Sequence, residues 1–336
     1  MSARPPNMDE MGRANPRITG STLNRTRNDD RAHVAILMCT YNGASFLREQ
    51  LDSFADQTYT HWTLYVSDDA STDGTRAILK EYQARWGEDR LKCFDGPCEG
   101  FGKNFISLLK RPEVHADFYA FSDQDDVWFS DKLERSVAIL VTRPASQAAL
   151  FCSRTQLVDD TRQALGFSPL FARPPSFRNA LVQSLAGANT MTINQPARDL
   201  LLQLPDDADI VAHDWLAYLL VTGCGGYVHY DARASLEYRQ HARNVIGANN
   251  RLQDRIRRLR KMLSGRFVTW NDANVRILKA MSPWLTAENR AVLAHFESGR
   301  RASVVTRCCE LRRSGVYRQT MVGNITLIIA ALLARI

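Results

Sequence analysis

Three carboxylates fall within four positions, Asp123, Asp125 and Asp126, directly after the apolar run Phe118-Tyr119-Ala120-Phe121-Ser122. A short apolar run of this kind reads as a buried strand, so its end places concentrated negative charge at an edge of a sheet. Like charges this close repel, and dehydrating them uncompensated is costly. A hard divalent cation, Mg²⁺ or Mn²⁺, would compensate them through oxygen coordination and leave room for phosphate oxygens. A solvated acidic loop is the plain alternative. Against it stands Val127-Trp128-Phe129, which follows at once and does not suit full exposure.

The same arrangement, a strand followed by a polar cluster, recurs upstream. Val34-Ala35-Ile36-Leu37-Met38 reads as a buried parallel strand, and Thr40-Tyr41-Asn42-Gly43 follows it. Residues 45–58 predict a helix with Phe46, Leu47, Leu51 and Phe54 on one face. Residues 62–66 predict a second strand, ending in Ser67-Asp68-Asp69, and residues 71–75 supply N-cap chemistry for a helix over 76–85. A strand near 91–94 leads through a Gly-rich loop to a helix over 104–109. Strand–helix alternation of this length predicts an α/β doubly wound sheet, whose ligands bind at the carboxyl ends of the strands. Farther on, residues 149–153 and 191–193 predict short strands, and 215–222 a compact apolar helix.

Several residues in these clusters carry two readings. Tyr41 beside Gly43 suits a base-stacking platform and close backbone approach, yet Tyr-Asn-Gly is also simply a good turn. Asp68 and Asp69 suit hydrogen bonds from a pyrimidine N3–H or a ribose hydroxyl, or a capping role. Asp214, in His213-Asp214-Trp215, reads either as a helix N-cap or as a general base on a rigid element. Tyr238-Arg239-Gln240-His241 follows a short strand-like segment at 234–237. There Arg239 suits a diphosphate clamp and His241 a place in a metal shell.

Composition sets the frame. With 45% hydrophobic and 24% charged residues the chain is of ordinary globular type. The net charge of +7 is uneven: residues 243–318 hold 17 Lys+Arg against 5 Asp+Glu, a balance of +12 that leaves −5 on the rest. A basic third on an acidic body points to an anionic neighbour, lipid or nucleic acid. No nucleic-acid reader motif or interleaved aromatic platform accompanies it, so nucleic acid is not the expected partner. Residues 1–31 are expected to be disordered, 32–245 to form the α/β domain, and 246–336 a basic helical region. Within that region residues 251–265 predict a cationic helix. The run 321–334 is almost wholly apolar but shorter than the roughly 20 residues that span a bilayer. Its Leu327, Ile328, Ile329 and Leu332 suit the acyl boundary of an anionic membrane; packing of a helical subdomain on the sheet is the other reading. Seven cysteines without C-x-x-C spacing, and no secretory signal ahead of them, lead us to expect reduced thiols in a cytoplasmic protein, peripheral on the inner membrane face.

Taken in order, the segments 40–43, 67–75, 122–128, 213–215 and 238–241 resemble glycosyltransferase family 2, most of all its rhamnosyltransferase-like branch in bacterial surface-polysaccharide assembly. The resemblance covers residues 33–250 or so and implies a GT-A fold, a nucleotide-sugar donor, a divalent metal and inversion at the anomeric carbon. It implies that Thr40, Tyr41 and Asp68 contact the nucleobase and that Asp69 lies near the ribose; Asn42, Asn104 and Arg239 complete the candidate donor-nucleotide set. Asp125 is the implied metal ligand, with Asp123 nearer the ribose, Asp126 extending the pair and His241 as an additional ligand. Asp214 matches the catalytic base. The Q-x-x-R-W signature of processive relatives is missing, which favours single-sugar addition. The expected donor is dTDP-rhamnose, with a UDP-sugar as the second candidate, and the expected acceptor a saccharide or polyprenyl-linked hydroxyl. A sugar-phosphate nucleotidyltransferase is the competing enzyme class, but it calls for a Gly-rich triphosphate loop where Thr40-Tyr41-Asn42-Gly43 stands. A non-catalytic nucleotide-sugar scaffold would be expected to lose Asp125 or Asp214, and both are present.

Overall fold

Alternate side chains of β1 (Val34–Thr40) enter two different apolar clusters, Val34, Ile36 and Met38 on one face and Ala35 and Leu37 on the other. Because both faces are buried, the strand reads as continuously apolar instead of alternating. The computed structural model describes residues 32–241 and 266–336. β2 (Trp62–Asp68) and β4 (Phe118–Ser122) flank β1 in parallel, and β3 (Leu91–Asp95) extends the sheet beyond β2. α1 (Leu47–Ala55) and α2 (Thr75–Trp86) cover one face with Leu51, Phe54, Ile78 and Leu79, while α3 (Phe101–Lys110) covers the other with Phe105 and Leu109. β4 therefore lies inside the sheet, and its carboxylates project from the strand's carboxyl end, not from the sheet's side edge.

The second half completes a mixed sheet in the order β3-β2-β1-β4-β8-β6-β9-β5, with β7 on β6. Its elements are β5 (Val127–Trp128), α4 (Lys132–Leu140), β6 (Ala149–Val158), β7 (Ala164–Phe167), α5 (Phe177–Ala180), β8 (Thr192–Asn194), α6 (Gln195–Leu202), α7 (His213–Gly223) and β9 (Tyr227–Arg239). β6 runs past the expected end at 153, and the short segment at 234–237 belongs to the long β9, because these two strands pair in parallel along most of their lengths. Asp73, just ahead of α2, accepts the Thr75 N–H and hydroxyl and also the Ala44 N–H, so the expected capping chemistry doubles as a tie between two loops.

After residue 265 come α8 (Arg266–Ala280), α9 (Ala287–Arg301), α10 (Val304–Ser314) and α11 (Met321–Leu332). Leu278, Leu293, Phe296 and Leu327 join the same apolar cluster as Leu37 and Phe121, so these helices pack onto the sheet's α3 face and share its core. Leu327 was expected at a membrane boundary; it is buried here instead, because it lies on the face of α11 turned to that core. Ile328, Ile329 and Leu332 are exposed. Among the described residues no helix is long and apolar enough to cross a membrane. The expected disordered segment 1–31, the boundary at 245 and the cationic helix at 251–265 lie outside the described residues.

Gly226 links α7 to β9, and a Cβ there would sit 2.5 Å from the Ala148 carbonyl and 2.7 Å from that of Val221. Both contacts are backbone, so neither can swing aside. Gly226→Ala is expected to destabilise the fold by about 1–3 kcal/mol, the usual range for overpacking. Urea denaturation measures this, and an unchanged midpoint would show that the turn relaxes freely.

Candidate active site

The carboxyl ends of β1, β2 and β4 carry three loops that are joined by side-chain bonds to backbone. Asn42 takes a left-handed conformation (φ 49°), which Asn tolerates well. Its N–H donates to Ser71 Oγ at 2.8 Å, and its side-chain oxygen accepts the Thr72 N–H at 2.9 Å. The Gly43 N–H donates to Thr75 Oγ1 at 2.8 Å. From the β4 loop, the Gln124 amide pairs with both backbone groups of Tyr41, at 2.9 and 3.0 Å. A Cβ on Gly43 would meet that amide at 2.2 Å, so glycine is what lets the two loops touch. Tyr41 itself is 61% exposed, its ring presented outward beside the bridge.

Asp68 is held differently from its neighbour. Its buried carboxylate accepts from Thr40 Oγ1 (2.7 Å), Ser71 Oγ (2.6 Å), the Ser71 N–H (3.0 Å) and Arg76 Nε (2.6 Å). Burial alone would raise its pKa, but these donors hold it below the usual carboxylate value. Asp69 accepts the Cys98 N–H at 3.0 Å and lies against Gly96, where a Cβ would come within 2.2 Å of its Oδ1. Asn104 is buried beneath, donating to the Ser67 carbonyl at 3.3 Å.

The acidic cluster divides by direction. Asp123 and Asp125 are half-buried on the open side. Burial, then the charges of Asp125 and Asp214, push the Asp123 carboxyl well up. Asp125 meets His241 Nε2 with its Oδ2 at 2.8 Å. Asp126 instead points inward: it is fully buried, accepts from Asn189 Nδ2 at 2.6 Å, and neighbours the buried Lys132, whose ammonium sits 4.3 Å from the Trp128 ring centre. Burial lowers Lys132 to about 7, against the pull of Asp126. Asp126 therefore belongs to the scaffold under the loop and does not extend the pair that faces outward.

Arg239 also departs from its expected part. Only 1% exposed, it donates to the carbonyls of Asp125 (3.1 Å) and Asp160 (2.7 Å) and to Glu49 Oε2 (2.9 Å), and it stacks on Phe46. That network anchors the backbone under Asp125 and leaves no guanidinium face for a diphosphate. Among the described residues, no three or more His, Cys, Asp and Glu side chains already stand as a ready-made metal cage. Asp123, Asp125 and His241 nevertheless suit a cation of the Mg²⁺ or Mn²⁺ kind, which takes few protein ligands and completes its shell with water and phosphate. The burial of Asp123 beside the charges of Asp125 and Asp214 favours this fit.

Asp214 stands in the first turn of α7, whose N-cap is Ala212, not the acid itself. It is half-buried, its Oδ1 takes the N–H of Trp215 at 2.7 Å, and burial lifts its carboxyl to about 6. Its charge is felt at Asp123, so α7 and β4 bring the two acids near one another across some ninety residues of sequence. His213, beside it, stacks on Phe105 (centroids 4.0 Å apart) and meets Phe121 and Phe101 edge-on. Neither of its ring nitrogens has a hydrogen-bond partner among the described residues. Sequence reading did not single out Gln124, Arg76, Asn189 or His213 for these tasks. Only Gln124 left a local signal, its place inside the acidic run; Asn189 meets Asp126 from 63 residues away.

A parallel half-sheet with polar loops at the carboxyl ends of its strands and an acidic pair at the end of β4 is the GT-A arrangement of a glycosyltransferase. Residues 35–194 match the family described as Glycosyl transferase family 2, and the chain carries a domain of that family. Among curated relatives, the dTDP-rhamnosyl transferase RfbG of Shigella flexneri is 29% identical over 231 residues, covering 66% of this chain and 78% of its own. The UDP-Glc:alpha-D-GlcNAc-diphosphoundecaprenol beta-1,3-glucosyltransferase WfgD of Escherichia coli is 30% identical over 110 residues, 32% of this chain and 41% of its own. A crystal structure of S. aureus TarS residues 1–349 in complex with UDP shares the fold, with TM-score 0.50 and 15% identity over 90% of this chain and 88% of that one.

The aromatic box around His213 makes a pH prediction. Burial lowers this imidazole to about 3, so between the ordinary pKa near 6.5 and that value the unfolded chain binds a proton that the folded chain refuses. Stability from this group is unaffected above pH 6.5 and falls as pH drops below it, by about 1.4 kcal/mol per pH unit. Chemical denaturation at pH 7 and pH 5 should therefore show a smaller acid loss for His213→Phe than for the parent. Equal losses would mean that the ring is protonated in the fold.

Proposed function

We propose that this glycosyltransferase moves a single L-rhamnose from dTDP-rhamnose to a hydroxyl of a saccharide or polyprenyl-linked acceptor, with inversion, in bacterial surface-polysaccharide synthesis. The observation that carries the reading is the convergence of Asp214 on the Asp123–Asp125 pair, with burial raising the Asp214 carboxyl to about 6. An acid tuned toward neutrality accepts a proton better than an ordinary carboxylate while still ionised at physiological pH. The name of the RfbG relative supports the sugar and base, and that of WfgD supports a polyprenyl-linked acceptor.

In this reading Asp214 takes the proton from the acceptor hydroxyl as its oxygen attacks C1 of the donor sugar from the face opposite the diphosphate. The C1–oxygen bond to the diphosphate breaks as the new glycosidic bond forms, and inversion follows from that single in-line displacement. Tyr41 offers the base a ring to stack on, and Asp69 lies where a ribose hydroxyl can donate to it. Asp68, Ser71 and Arg76 hold the β1 and β2 loops in register around the nucleoside. Mg²⁺ or Mn²⁺ held by Asp125, with Asp123 and His241, would neutralise the negative charge that develops on the departing diphosphate. Placing both substrates in one geometry contributes the rest of the rate.

Asp214→Asn should lower turnover by about 10²–10⁴-fold, the usual contribution of a general base, while donor binding persists. In the parent, nucleoside-diphosphate release should rise with pH through about 6 and level off above it, because the base must be ionised. A pH profile with no acid limb near 6 would remove Asp214 from the role. Separately, a thermal-shift panel of dTDP-, UDP- and GDP-sugars with Mn²⁺ or Mg²⁺ tests the donor: stabilisation by dTDP-rhamnose above the others is expected, and preference for another nucleotide would replace it. Chelation should abolish turnover and leave the melting temperature without donor unchanged.

A further inference from the structure

Helix α11 carries two unlike faces. Leu327, Ala330 and Ala331 are buried against the core. On the opposite arc, Met321, Ile325, Ile328 and Leu332 form one exposed ridge at helical spacing, and Val322, Ile329 and Leu333 form the next. Their exposures run from 41% at Ile329 to 81% at Met321, on a helix without a single charged residue between Met321 and Leu332. Scattered exposed apolar residues need no explanation, but a continuous ridge marks an interaction surface.

We propose that this face of α11 docks on an anionic lipid bilayer, the helix lying in the plane of the headgroups. Three observations choose that occupant. First, 12 residues at 1.5 Å each give about 18 Å, well short of the ~30 Å hydrocarbon core, so the helix can lie in the interface but not cross it. Second, residues 304–336 contain five arginines against one glutamate, a net of +4, and Arg312, Arg313 and Arg335 are exposed. Apolar burial combined with basic side chains is the chemistry that holds interfacial helices on anionic lipid. Third, the same charge disfavours a second copy of this chain as the occupant, since two such segments would meet face to face and repel. The helix is anchored to the core through Leu327 and through Arg307, which donates to the Ala331 carbonyl at 3.0 Å, so the ridge is presented on a fixed support.

Flotation of the full chain with vesicles of phosphatidylglycerol and of phosphatidylcholine tests this without donor or acceptor, so its outcome is independent of the transferase reading. Binding to phosphatidylglycerol vesicles is expected, weakened by salt, and weakened about tenfold or more by the double substitution Ile325→Asp/Ile328→Asp. Both side chains are exposed, so the variant should fold, and its melting temperature and donor-dependent turnover on a water-soluble acceptor should match the parent. Ile328→Trp should in addition show a blue-shifted emission on phosphatidylglycerol vesicles only. Absence of binding to those vesicles, or binding indifferent to the double substitution, overturns the proposal. A dimer in light scattering that the double substitution dissolves would give the face to a second copy and overturn it too.

Discussion

The Asp123 carboxyl, partly dehydrated and crowded by the charges of Asp125 and Asp214, is the constraint around which the end of β4 is organised. Partly dehydrated carboxylates that feel one another drift apart or take up protons unless the backbone that bears them is fixed. Here each is fixed from behind: Asp123 and Asp125 by a strand end inside the sheet, Asp214 by the first turn of a helix that is buried along most of its length. The fold holds the charges close, and carboxylates held this close suit a hard divalent cation.

The fixing is done largely by groups that never face the pocket. The buried Arg239 ties the Asp125 and Asp160 carbonyls and Glu49 together, and Asn189 with Lys132 receives Asp126 below the loop. At the β1 and β2 loops Asp68 plays the equivalent part, with its four donors drawn from Thr40, Ser71 and Arg76. The outward residues, Tyr41, Asp69, Asp123, Asp125 and His241, rest on this scaffold.

The C-terminal helices extend the same logic of two faces. Their inner side chains complete the core over the α3 face of the sheet, next to the aromatic box of His213, and so support the element that carries Asp214. The outer ridge of α11 is exposed among the described residues.

Sequence by itself determined the doubly wound half: the strands at β1, β2 and β4, the polar cluster after each, and hence the end of the sheet where chemistry collects. These are local properties, since an unbroken apolar run bounded by turn residues has few ways to be buried. It also singled out Asp125, His241 and Asp214, of which His241 meets Asp125 directly and Asp214 lies close enough for its charge to act on Asp123. What only the tertiary structure decided is direction. Arg239 and Asp126 carry the same charges as functional residues elsewhere in the motifs, but neighbours 60 to 190 residues away in the chain turn them inward. In the same way the apolar run at α11 is one string of letters, and its division into Leu327 inside and Ile328 outside exists only because a core lies against one side of the helix. Periodicity reports that a residue is apolar or charged; which way it faces depends on contacts between segments that sequence distance does not reveal.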